Sequence, residues 1–132
     1  MKIYLLDSDV IISCLRGSRE TLDFLDNLLS MGSVLGCCSV NVTEIYAGMR
    51  EVEQDKTEKL INKLRFFSID LKVAKLAGDM IRSYKSKGIT LSPTDAMIAA
   101  VSIYNNLILI TNNRKHYPMK ELKSISPKDI EL

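Results

Sequence analysis

Apolar positions along this chain fall into two rhythms. KIYLL (2–6), SVLGCCS (33–39), RFFSI (65–69) and LILI (107–110), with a weaker SIS (124–126), are nearly unbroken runs of apolar or small residues. A strand with one wet face alternates apolar and polar residues, whereas an unbroken run suits a strand covered on both faces. The pattern therefore predicts a parallel sheet of four to five strands. Between the runs the spacing is helical. Leu22, Leu25, Leu28 and Leu29 make one stripe, and Leu60, Ile61 and Leu64 make another. Val73, Ala77, Met80, Ile81 and Tyr84 make a third, predicting a helix of about 16 residues from periodicity alone. Strands alternating with helices point to an α/β sandwich with right-handed crossovers. The segments 41–65 and 71–105 are long enough for helical hairpins.

Composition narrows the picture. At 132 residues the chain is read as one domain, 1–132, and hydrophobic residues at 46% exclude a disordered chain. No apolar run reaches the roughly 18 residues of a membrane span. The opening MKIYLLDSDVII carries Asp7 and Asp9 inside its apolar stretch, which reads as a buried strand and turn, not a signal-peptide core. The expectation is a cytoplasmic protein. Cys14, Cys37 and Cys38 are odd in number and lack CxxC spacing, so they read as buried reduced thiols. His116 is the only histidine, which excludes a site built from several imidazoles of one chain. A metal here would be a hard cation on carboxylates, Mg²⁺ or Mn²⁺. The net charge of +2 does not by itself argue for nucleic acid.

In open parallel sheets, ligands bind beyond the carboxyl ends of the strands. KIYLL runs into Leu6-Asp7-Ser8-Asp9, SVLGCCS into Asn41-Val42-Thr43-Glu44, and LILI into Thr111-Asn112-Asn113. SPTDAMIAA (92–100) opens the helix that feeds the last of these strands, so Asp95 falls at the same rim. Each acid has a plainer reading as a helix cap. Asp7 or Asp9 could cap the helix that follows. Glu44 lies three after Asn41, and Asp95 three after Ser92, as in capping boxes. Together the acids resist that reading, because like charges 4 Å apart cost about 4 kcal/mol at an effective dielectric near 20. A divalent cation would offset that repulsion.

LLDSDVII, VTEIYAG, TDAMIAA and LITNNRKHY, in that order, resemble the PIN-domain ribonucleases, in particular the VapC toxins of toxin–antitoxin pairs. The resemblance spans essentially the whole chain. It implies a compact α/β/α sandwich around a parallel sheet, and Mg²⁺- or Mn²⁺-dependent endonucleolytic cleavage of RNA to 5′-phosphate and 3′-hydroxyl ends. It also implies Asp7, Glu44 and Asp95 as catalytic metal ligands, a VapB-like antitoxin partner, and a homodimer. The fourth acid of many members is absent here: the candidate positions hold Asn112, Asn113 and His116.

A cation on these acids would acidify water and neutralise charge developing on a phosphodiester. Glu44 is the candidate to orient that water, with Asp9, Thr111 and Asn113 as supporting residues. For the RNA backbone, Arg16, Arg50, Arg82, Lys85, Lys87, Arg114 and Lys115 are candidates. Arg114, Lys115 and His116 stand nearest the rim, His116 read chiefly as a loop anchor beside Tyr117. Two other classes compete. A phosphoacceptor receiver domain would use Asp70, after RFFSI, as its acceptor but leaves Glu44 and Asp95 without a role. A non-catalytic interaction module would explain the missing fourth acid.

Overall fold

Each apolar run becomes a strand of a single sheet in the computed structural model, which describes residues 1–130. The strands are β1 (Ile3–Leu6), β2 (Val34–Cys38), β3 (Arg65–Phe67), β4 (Ile108–Ile110) and β5 (Lys123–Ile125). Every pairing is parallel and the order is β3-β2-β1-β4-β5. The chain thus starts in the middle of the sheet, builds outward to one side, then crosses to the other. Six helices flank the sheet: α1 (Ser8–Leu15), α2 (Arg19–Ser30), α3 (Ser39–Gly48), α4 (Gln54–Lys63), α5 (Leu71–Lys85) and α6 (Pro93–Tyr104).

Alternation along the strands sorts their side chains into two layers of core. Leu5 and Leu109 pack with Val73, Ala77 and Met80 of α5 and with Ala96, Ile98 and Val101 of α6. Tyr4, Leu6 and Ile110 face the other way, onto Val10 and Ile11 of α1 and Phe24, Leu25 and Leu28 of α2. Leu5, Leu109 and Ile110 expose nothing, and each such side chain contributes about 1.5–3 kcal/mol by leaving water. The result is the α/β sandwich expected from the pattern, in the α/β/α layering that the resemblance implied, with five strands.

Three local readings need correction. RFFSI is not covered on both faces: it supplies a three-residue edge strand whose Phe66 is 56% exposed, because β3 pairs only with β2. Leu29 leaves its stripe and is exposed, while Phe24 takes the core position on α2. The segment 41–65 holds two helices joined by a 3-10 turn (Glu51–Glu53), and the first begins at Ser39, ahead of position 41. Asn41 is therefore the third helical residue, and its Oδ1 accepts the Cys38 N–H at 2.8 Å. Glu44 lies deeper in α3 and belongs to no capping box with Asn41. Among the described residues, no helix is long and apolar enough to cross a membrane.

The edge strand reaches its partner only because Gly36 has no side chain. A Cβ there would lie 2.8 Å from the Phe67 ring and 2.9 Å from the Arg65 carbonyl oxygen. A backbone oxygen cannot swing aside as a side chain can. Gly36→Ala is expected to destabilise the fold by about 1–3 kcal/mol through overpacking, read as a lowered urea midpoint at unchanged slope.

Candidate active site

The order of the strands makes a switch point between β1 and β4, where crossovers leave in opposite directions. A crevice opens at such a point, outside the carboxyl ends of the strands. Asp7 stands there as the residue after β1, its N–H donating to the Ile110 carbonyl at 2.9 Å. It also caps α1, since its Oδ1 accepts the Ser8 N–H at 2.8 Å. Oδ2 accepts two hydroxyls, Thr111 Oγ1 at 2.8 Å and Tyr117 Oη at 2.9 Å. The side chain of Thr111 is itself steadied by the Asn113 N–H, which donates to Oγ1 at 3.0 Å. A buried carboxylate thus has three donors, each hydrogen bond to a charged group contributing about 1.5–3 kcal/mol.

The other acids reach the same rim by different routes. Ser92 caps α6 and Pro93 occupies its first position, as the sequence suggested. The cap bond uses the Asp95 N–H, which donates to Ser92 Oγ at 3.1 Å. The Asp95 carboxylate is turned away from the cap, with Oδ1 3.4 Å from the Tyr117 hydroxyl and Oδ2 3.7 Å from His116 Nδ1. Glu44 projects from α3 and accepts the Ser8 hydroxyl on Oε1 at 2.6 Å. Asn41, fully buried, donates its Nδ2 to the same Ser8 oxygen at 3.0 Å. Ser8 directly follows Asp7, so Glu44 is tied to the first acid through one residue.

Asp9 is the least satisfied of the group. Its Oδ2 accepts the Asn113 side-chain amide at 2.6 Å and the Asn112 N–H at 3.2 Å, stitching α1 to the loop after β4. Its Oδ1 is buried without a partner. Burial, and next the charge of Asp7, push Asp9 up to about 6 despite those donors. An orphaned acid oxygen close to the charge of Asp7 is the kind of donor a hard cation takes. Among the described residues, however, no three His, Cys, Asp or Glu side chains already stand as a finished metal cage. Tyr117 lies between Asp7 and Asp95, and Ser8, next to Asp7, bonds Glu44; these three acids are the residues that would hold a cation.

The candidate RNA contacts divide. The Arg114 guanidinium is committed within the protein, donating to the Ser124 carbonyl at 3.2 Å and pairing with Asp129. Arg50 pairs with Glu53, Arg82 with Asp79, and Lys87 lies 5.1 Å from the Tyr84 ring centre. Lys115 and His116 are exposed in the 3-10 turn Arg114–His116 beside the rim. Asp70, which the receiver reading would make an acceptor, follows the edge strand and caps α5 by accepting the Val73 N–H at 3.0 Å. Tyr117 and Ser8 were not given a site role from the sequence, and Asn41 was read there only as a cap. The signal for Tyr117 and Asn41 was weak, a polar atom on a residue that must be buried and so must find a partner.

The cost of Asp9 can be measured. Because its folded pKa lies above its ordinary value, the folded state binds that proton more tightly. The associated stability is present below about 3.8 and is lost as pH rises through about 6. In chelator, Asp9→Asn is expected to melt a few degrees above the parent at pH 8. That margin should shrink through pH 6 and be nearly gone at pH 4. A margin independent of pH would show that charge is not the cause.

Comparison with known proteins follows the same lines. The sequence model of the PIN domain matches residues 4–122. Ribonuclease VapC10 of Mycobacterium tuberculosis is 34% identical over 117 residues, spanning 89% of this chain and 87% of the relative. Ribonuclease VapC19 of the same organism is 27% identical over 115 residues, spanning 87% and 92%. Among solved structures, VapBC2 from Rickettsia felis, bound to a promoter DNA fragment, superposes with a TM-score of 0.84 at 21% identity, covering 94% of this chain and 98% of that one. VapBC-1 from nontypeable Haemophilus influenzae gives 0.81 at 18% identity, covering 96% and 98%. These superpositions speak to the fold, and the sequence matches speak to descent. With the acids, the switch point and both comparisons in agreement, the chain belongs to the PIN-domain family, among its VapC-type toxins.

Proposed function

We propose that this protein is an endoribonuclease that uses Mg²⁺ or Mn²⁺ held by Asp7, Glu44 and Asp95. The observation that carries the reading is the tie between these acids. Tyr117 spans Asp7 and Asp95, Ser8 joins the first acid to Glu44, and Asp9 adds an oxygen that lacks a partner. When bound, the cation supplies Lewis-acid stabilisation of the charge that develops on a phosphodiester under attack. The ribonuclease names of the relatives support RNA as substrate.

The protein's own groups then have distinct tasks. Ser8 fixes Glu44 by Oε1, which leaves Oε2 to orient a water and take its proton as the oxygen attacks phosphorus in line. The P–O3′ bond breaks opposite the attack, and the departing 3′ oxygen takes a proton from solvent. Thr111 and Tyr117 hold Asp7 in one rotamer, so that little reorganisation is needed when charge develops. Asn113 holds the loop after β4 against Asp9. Lys115 and His116 are positioned to meet the RNA backbone, whereas Arg114 serves the loop's own structure. The phosphoacceptor reading fails on placement, since Asp70 caps a helix beside the edge strand.

The VapBC complexes among the structural neighbours support a VapB-like antitoxin as partner. Leu22, Leu25, Leu29, Leu60 and Leu64 line an open apolar groove between α2 and α4, which suits an amphipathic segment of such a protein. We take the active form to be a homodimer acting in the cytoplasm.

Asp7→Asn and Asp95→Asn should each lower Mn²⁺-dependent cleavage of labelled RNA by at least about 100-fold, the scale of one lost electrostatic stabiliser. Cleavage that survives both substitutions in chelator would count against the reading. In cells, expression without the antitoxin is expected to arrest growth, and Asp95→Asn to relieve the arrest. Equal toxicity of wild type and variant would separate growth arrest from this site.

A further inference from the structure

Tyr117 is 7% exposed, and its ring packs in the apolar layer that includes Leu91, Met119 and α6. A phenylalanine would fill that space equally well. The hydroxyl is the part that demands explanation, and it points out of the apolar layer to the acids. It lies 2.9 Å from Asp7 Oδ2 and 3.4 Å from Asp95 Oδ1. A phenol has one proton to donate. The shorter contact takes it, so Asp7 receives the hydrogen bond and Asp95 faces the phenol oxygen.

We propose that Tyr117 is a positioning residue, whose hydroxyl sets the spacing of Asp7 and Asp95 and leaves Asp7 Oδ1 as the oxygen offered to a divalent cation. The inference rests on the metal-dependent reading above. Thr111 and Tyr117 both donate to Oδ2, and two hydroxyls fill the two lone pairs of that oxygen. Oδ1 accepts only the Ser8 N–H and keeps one lone pair. The rotamer is therefore fixed before a cation arrives. A phenol ordinarily titrates at about 10, so at neutral pH Tyr117 carries its proton and acts as a donor. Its role is exerted through the acids, without contact with the scissile bond.

The test is a calorimetric titration of the RNA-free protein with Mn²⁺, paired with cleavage rates across Mn²⁺ concentration. Tyr117→Phe keeps the ring and removes only the donor. The expected result is a Mn²⁺ dissociation constant raised about tenfold, the low end for losing a group that orients a metal ligand. The kcat at saturating Mn²⁺ should change far less. Replacing Tyr117 with para-aminophenylalanine returns a donor to the same place and should restore Mn²⁺ affinity toward wild type, a rescue that a packing role would not show. Melting curves in chelator establish that each variant is folded. Wild-type Mn²⁺ affinity in Tyr117→Phe overturns the inference, as does a loss confined to kcat. A wild-type protein that shows no saturable Mn²⁺ binding overturns the metal reading itself, and this inference with it.

Discussion

Asp7 is a buried carboxylate at the end of the central strand, and the arrangement of the site follows from keeping it charged there. An ionised carboxylate away from water is tolerated only when it is hydrogen-bonded. Its donors come from three places in the chain: the Ser8 backbone in α1, Thr111 after β4, and Tyr117 beyond the 3-10 turn. Two of these are more than a hundred residues away in sequence. Satisfying one charge therefore fixes the entry to α1, the end of β4 and the path of the following loop together. The fold and the site are coupled at this residue.

That coupling explains why the loop after β4 is built from polar residues that bind one another. Asn113 donates its side chain to Asp9 and its backbone to Thr111, and Arg114 pairs with Asp129 close to the end of the described chain. Each of these bonds holds the segment that delivers Tyr117. Arg114, taken from sequence as a candidate for RNA, is better understood as a strut. Its guanidinium has geometry suited to a carbonyl and a carboxylate at once, and both are supplied from the same short C-terminal stretch.

The sheet was legible because burial on two faces leaves an unmistakable run such as LILI, and because the acids follow such runs directly. The edge strand was less so. RFFSI has the same apolar content as a central strand, and only the sheet order shows that one side of it lacks a neighbour. The site divided in the same way. Asp7, Glu44 and Asp95 announce themselves by charge, whereas Tyr117 acts through one hydroxyl and Asn41 through one amide on buried side chains. Such atoms leave no trace in a hydrophobic pattern. Asn41 was read as the first residue of a capping box with Glu44, but α3 begins at Ser39, so Asn41 instead closes the cap from the third helical position by accepting the Cys38 N–H.

Capping a helix and reaching the rim are compatible tasks for one acid. Asp7 caps α1 with Oδ1 and receives both hydroxyls on Oδ2. Asp95 lends its N–H to the Ser92 cap and turns its carboxylate to the rim. Both acids therefore sit at helix N-termini, where the unpaired N–H groups carry partial positive charge worth about 0.3–1 kcal/mol to a nearby anion. Two such termini, with the hydroxyls of Tyr117 and Thr111, offset part of the repulsion among the acids before any cation is present. Repulsion alone is thus a weaker argument for metal than the sequence suggested. The stronger one is Asp9, which shares the first turn of α1 and has two donors on Oδ2, yet keeps its Oδ1 buried without a partner. The helix terminus and the two amide donors therefore leave one acid oxygen unsatisfied, and that oxygen, more than repulsion, motivates the metal-dependent proposal.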